Sequence, residues 1–126
     1  VELNCETDFV ANTDGFKELA HNLSMQVAAT NPVSLDRNSI DERIILREKD
    51  IFLEQAKKQG KPENIIKKMV EGRINKFYQE SCLMEQTYIK DPDKKVSDLL
   101  TETVSMLGEN ITVKRFIRFS IGESNN

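Results

Sequence analysis

Two stripes of apolar residues at helical spacing, separated only by "QGKP" (Gln59 to Pro62), constrain this chain more than any other feature. Ile40, Ile44, Ile45, Ile51 and Phe52 form the first stripe, and Ile65, Ile66, Met69, Val70, Phe77, Leu83 and Met84 the second. So short a connection leaves two long helices no choice but to fold back antiparallel. Ser39 followed by Glu42 predicts a capping box at the start of the first helix. Lys57 and Lys58 suit its negative C-terminal end, Gly60 suits the left-handed residue that closes it, and Pro62 is expected as a first-turn residue of the next.

On either side of this hairpin the period changes. Phe16, Leu19, Ala20, Leu23 and Val27 predict an earlier helix, with Asn12 or Thr13 as its N-cap and Pro32 beyond its end. Asp91 and Pro92 are expected to form a turn, "VSDLLTETVSML" predicts a shorter helix, and Gly108 closes it. Strand alternation marks both ends of the chain. At the start, Val1, Leu3 and Cys5 share a face. Near the end, Ile111, Val113, Ile117, Phe119 and Ile121 alternate against Thr112, Lys114, Phe116, Arg118 and Ser120. The two strands are natural mates, because a lone strand is not stable by itself. The expected fold class is α+β: a small antiparallel sheet packed against helices, including a long antiparallel helical hairpin.

With 126 residues, 38% of them hydrophobic, the chain can fill one core but not two comfortable ones, so residues 1–126 are expected to form a single domain. The chain opens on Val1, and its natural start is expected upstream. A net charge of -3 argues against a bare electrostatic grip on nucleic acid or on an anionic membrane. No apolar run approaches the roughly 20 residues needed to span a bilayer. Cys5 and Cys82 stand far apart without a histidine cluster, which points away from a metal site or a disulfide framework. The only histidine, His21, lies off the apolar stripe of its helix and reads as a surface side chain. Phosphate-binding glycine loops, HExxH and GxSxG are all missing, so neither covalent catalysis nor a cofactor is expected. Lys114, Arg115 and Arg118 interleave with Phe116 and Phe119, a pattern faintly like an RNA-binding sheet, but core packing explains it more simply. The expected partner is a protein or a small molecule.

The opening "CETDFVAN" (Cys5 to Asn12) fits no clean period. Phe9 can pack into the core where strand meets helix, with Thr7 or Asp8 capping the turn, or it can be an exposed contact in a polar loop. Composition leaves both open. Arg73, set in the stripe of the second hairpin helix beside Gly72, likewise either lies along the core with its head in water or reaches a partner.

"ELNCETDFVAN" (Glu2 to Asn12) closely resembles the signature of the elongation factor Ts family, guanine-nucleotide exchange factors for elongation factor Tu. "GKPENIIKKMVEGRINKFYQESCLMEQ" (Gly60 to Gln86), "YIKD" (Tyr88 to Asp91) and "LGENITVKRFIRFSIGE" (Leu107 to Glu123) are similar to the same family and follow in order. The resemblance implies a core, or dimerisation, domain of a short-form member, here without the family's N-terminal helical domain. It implies that Thr7, Asp8, Phe9 and Val10 enter the G domain of elongation factor Tu, with Phe9 wedged between two helices near the magnesium site. Arg73 joins them as a candidate partner contact. It further implies exchange by protein binding and no covalent step, a homodimer formed through the sheet, and residence in the bacterial cytoplasm or an organelle matrix or stroma. A module that kept the fold and lost exchange is the alternative.

Overall fold

Caps and left-handed residues set the ends of the helices in the computed structural model, which describes residues 1–123. A short strand, β1 (Glu2–Asn4), leads into a single helical turn, α1 (Asp8–Ala11). Helix α2 (Asp14–Thr30) begins where the Thr13 hydroxyl accepts the Phe16 N–H at 3.2 Å, and it ends at Asn31, which is left-handed with φ 48°. Helices α3 (Glu42–Lys58) and α4 (Glu63–Ser81) are the expected antiparallel hairpin, turning at Gly60 with φ 69°. After a 3₁₀ turn at Leu83–Glu85 come β2 (Thr87–Tyr88), β3 (Asp91–Lys95), α5 (Val96–Leu107) and β4 (Thr112–Arg115). Strands β1 and β4 pair antiparallel, as do β2 and β3. The α+β class therefore stands.

Several boundaries differ from the sequence-based expectation. The cap of α3 is Asp41, whose carboxylate accepts the Arg43 N–H at 2.9 Å; Ser39 instead closes a tight turn on the Asp36 carboxylate. An aspartate one residue before the helix competes better for its free N–H groups than a serine already engaged by another acid. Pro62 precedes α4 as its cap, in an extended conformation, and Glu63 is the first helical residue. Ile51 and Ile65, assigned to the hairpin's inner stripes, are exposed. Leu83 and Met84 do not continue α4, because the chain turns extended at Cys82 and places fully buried Leu83 in a different cluster. Asp91 and Pro92 lie in β3, and the turn falls at Ile89 and Lys90.

The last strand shows the largest departure. Across from Glu2 and Leu3, the partner residues are Arg115 and Val113, so Lys114 is an extra residue in β4. Such a bulge reverses the alternation downstream. Ile111 and Val113 face inward as expected, but Phe116, not Ile117, then packs on the core. Ile117 and Phe119 stay 69% and 71% exposed, and Ile121 is fully exposed.

The hydrophobic interior has two parts. Leu19, Leu23, Val27, Leu83, Val96, Ile111 and Val113 form the main core, with Val1, Leu3, Cys5 and Phe16 around it. Ile40, Ile45, Ile74 and Cys82 form a second core at the base of the hairpin. Cys82 and Leu83 are adjacent yet point into different cores, so the backbone there joins hairpin to body. Val33 N–H donates to Ser81 O, Leu83 N–H to Ser34 O and Met84 N–H to Leu35 O, each within 3.0 Å. None of the described helices is long and apolar enough to cross a membrane.

Candidate functional site

Thr7 adopts an extended backbone and caps α1: its hydroxyl accepts the Val10 N–H at 3.4 Å while its carbonyl accepts the Ala11 N–H at 3.2 Å. Asn12 N–H closes onto Asp8 O, and Thr13 donates both its N–H and its hydroxyl to Val10 O, the latter at 2.7 Å. The same Thr13 hydroxyl starts α2, so the small turn and the long helix share a junction. A helical step rotates successive side chains by about 100°. With Val10 buried at 8% exposure, Phe9 is turned about 100° away from the buried direction, and its ring is 88% exposed. Of the two placements that composition left open for Phe9, the chain shows the exposed one.

A large aromatic this exposed on the described chain is uncommon. Burying a phenylalanine stabilises by about 2 to 3 kcal/mol, and the chain forgoes that gain here. Thr7 and Asp8 are exposed beside the ring, and Asp8 occupies the first turn of α1.

The turn is braced from the far end of the chain. The Glu109 carboxylate, just past α5, accepts the N–H groups of Glu6 and Thr7 at 3.1 and 3.0 Å on Oε1 and the Thr7 hydroxyl at 2.5 Å on Oε2. In return the Glu6 carboxylate accepts the Asn110 N–H at 3.1 Å. Glu109 carries no signal in the sequence, because an acid after a helix-closing glycine is ordinary and its partners lie about a hundred residues away.

Arg73 stands apart from this turn. It is exposed on α4, with its guanidinium 5.6 Å from the centroid of the Phe52 ring of α3, beside Lys76, Phe77 and Glu80. The arrangement matches a stem lying over the hairpin with its head in water, and it leaves the guanidinium open to a partner. His21 is exposed, as expected. Among the described residues no group of His, Cys, Asp and Glu is placed to hold a metal. Cys82 is fully buried, and burial pushes its thiol above the ordinary range. That is the reverse of what a reactive cysteine needs. The turn thus presents an exposed ring on a segment held by hydrogen bonds to Glu109 at one end and to Thr13 at the other.

A family model described as Elongation factor TS matches residues 17–123. Elongation factor Ts of Syntrophomonas wolfei is 54% identical over 98% of this chain, and that of a Thermoanaerobacter species 53% over 98%. Elongation factor Ts of Oleidesulfovibrio alaskensis is 56% identical over 97% of the chain. The chain spans 58%, 60% and 62% of the length of these three curated relatives. The matching stretch takes in the hairpin, α5 and the bulged last strand, and with identity above half along almost every residue present, the chain belongs to the elongation factor Ts family.

Proposed function

We propose that this domain is the elongation factor Tu-binding core of a guanine-nucleotide exchange factor in translation elongation, with Thr7, Asp8, Phe9 and Val10 as the inserting loop. The observation that carries this reading is the 88% exposure of Phe9 on a turn tied down at both ends. A ring on few rotors loses little entropy when a pocket closes on it, which makes it an interface anchor. Wedged between helices that support a magnesium ion, it shifts that ion's ligands, and the phosphates of GDP lose charge neutralisation. No bond is made or broken.

Exchange then follows from linkage: the factor and GDP each weaken the other's binding by one common ratio. Turning a nanomolar nucleotide complex into a micromolar one takes about 4 kcal/mol of coupling. A buried aromatic hot spot contributes about 2 to 4 kcal/mol of that, and the disturbed metal site the rest. Arg73, with its guanidinium unpaired by any acid among the described residues, is a secondary contact in this reading. The exposed Ile117, Phe119 and Ile121 favour a homodimer formed through the sheet, because most of their apolar surface is left uncovered in the chain itself.

The test is release of a fluorescent GDP analogue from elongation factor Tu. The protein is expected to accelerate release, and Phe9→Ala to reduce that acceleration at least thirty-fold while circular dichroism stays native. This magnitude corresponds to a hot spot of about 2 kcal/mol or more. Undiminished release by a folded Phe9→Ala variant rejects the loop as the exchange device. No release by the wild type leaves the non-exchanging binding module in its place.

A further inference from the structure

Beyond the loop itself, we infer that Glu109 is the positioning residue that holds the Phe9 turn in its inserting geometry; the inference rests on the exchange reading for its functional consequence and on the structure for its physical one. The Thr7 hydroxyl has a single proton and two lone pairs. Its proton goes to Glu109 Oε2, which turns a lone pair toward the Val10 N–H and so sets the cap of α1. The other carboxylate oxygen takes the backbone N–H groups of Glu6 and Thr7, the two residues that lead into the turn. One side chain therefore satisfies three donors, all charge-assisted and so stronger than neutral hydrogen bonds.

Local sequence does not supply this order. α1 is a single turn of four residues, too short to be stable alone, and Phe9, which it carries, contributes no burial to hold it. Only Val10 points inward. Without Glu109, the Thr7 hydroxyl is free to rotate, the cap frays, and the ring is displayed from an ensemble of loop conformations. The ordering entropy then falls at the moment of docking, which weakens binding without altering the docked state. The brace also sets a direction of coupling: Glu109 follows Gly108, the left-handed residue that closes α5 with φ 75°, so the position of the turn is referred to α5 and the β1–β4 pair instead of to α2 alone.

Three variants test this: Glu109→Ala, Glu109→Gln and the double variant Glu109→Ala with Phe9→Ala. In Glu109→Ala the amides of Thr7 and Val10 are expected to lose hydrogen-exchange protection at least ten-fold while those within α2 and α5 keep theirs. With elongation factor Tu loaded with fluorescent GDP, the factor concentration for half-maximal release is expected to rise about ten-fold, with the saturating release rate within two-fold of wild type. Glu109→Gln, which keeps one acceptor oxygen, is expected to recover part of both losses. In the Phe9→Ala background, Glu109→Ala is expected to add less than a two-fold change, because a brace that acts through the ring has nothing left to position.

Unchanged amide protection in Glu109→Ala overturns the inference whatever the exchange data show. An equal loss with and without Phe9 overturns it too, since Glu109 then acts elsewhere. If instead protection falls but neither Phe9→Ala nor Glu109→Ala affects GDP release, the positioning role stands and the exchange reading fails.

Discussion

Arg37 illustrates how one side chain on an irregular stretch ties down a distant element. Its guanidinium forms a two-pronged contact with the Glu85 carboxylate, donates to Asn75 Oδ1 at 3.2 Å and lies 4.5 Å from the Tyr78 ring centroid. The hydrogen bond from Arg37 holds the Glu85 carboxyl below the usual glutamate range. A depressed folded-state pKa gives stability that is present above the unfolded value, about 4.3, and lost as pH falls through the lower folded one. The pair is partly exposed, so its contribution is about 1 kcal/mol. Arg37→Leu is therefore expected to be less stable than wild type by about 1 kcal/mol at pH 7, with the gap closing below pH 4. Urea unfolding midpoints measured across that range check it, and a gap that persists at pH 2 assigns the effect to packing on Tyr78. At this scale the sequence was legible wherever a residue's role is local. His21 on the surface, Gly60 and Gly108 in left-handed turns, and Leu19, Leu23 and Val27 inside all follow from spacing and side-chain chemistry. Phe9 was not decidable, because its exposure depends on Val10 being the residue that the turn buries.

Among the elements, periodicity missed the short α1, the 3₁₀ turn and the whole β2–β3 hairpin. Its strands are short and its sequence polar, so no alternation announces them, and Pro92 argued for a turn. What holds it is a buried amide. Gln26 of α2 is fully buried, donating to Gln86 Oε1 at 3.0 Å and Thr87 O at 3.1 Å and accepting the Ile89 N–H at 2.9 Å. Gln86 in turn accepts from the Thr30 hydroxyl and donates to Glu80 O. A fully satisfied buried network of this kind specifies one arrangement, and losing a member strands the others. Gln26→Leu, close in volume, is expected to cost about 2 to 3 kcal/mol and to lower the melting temperature by several degrees, with the β2–β3 amides losing hydrogen-exchange protection first. A melting temperature equal to wild type rejects this account. The hairpin of α3 and α4, by contrast, was plain from two stripes and a four-residue break, since helical periodicity over many turns leaves little ambiguity.

Over the whole molecule, exposed apolar surface is concentrated after β4. Ile117, Phe119 and Ile121 lie beyond the Lys114 bulge and stay largely exposed, Ile117 and Phe119 touching α2 beside Val27 and Ala28 only at their edge, while Phe116 takes the inward place. If these residues meet a second copy, sedimentation equilibrium at tens of micromolar returns twice the chain mass, and Ile117→Asp with Phe119→Asp returns the mass of one chain. A wild type that sediments as a single chain over that range removes the homodimer from the proposed function. The double variant is expected to keep the wild-type circular dichroism spectrum, because both substituted side chains are already mostly in solvent.

By itself the sequence determined the class of fold, the antiparallel hairpin and the strand character of the two ends. All of these rest on periodicities and residue chemistry that operate within a few positions of the chain. The tertiary structure alone decided which side of α1 faces water, where the last strand reverses its faces, and that Glu109 reaches back to Thr7. The last two depend on residues about a hundred positions apart meeting in space. Chain closure brings them together, and no local preference encodes it.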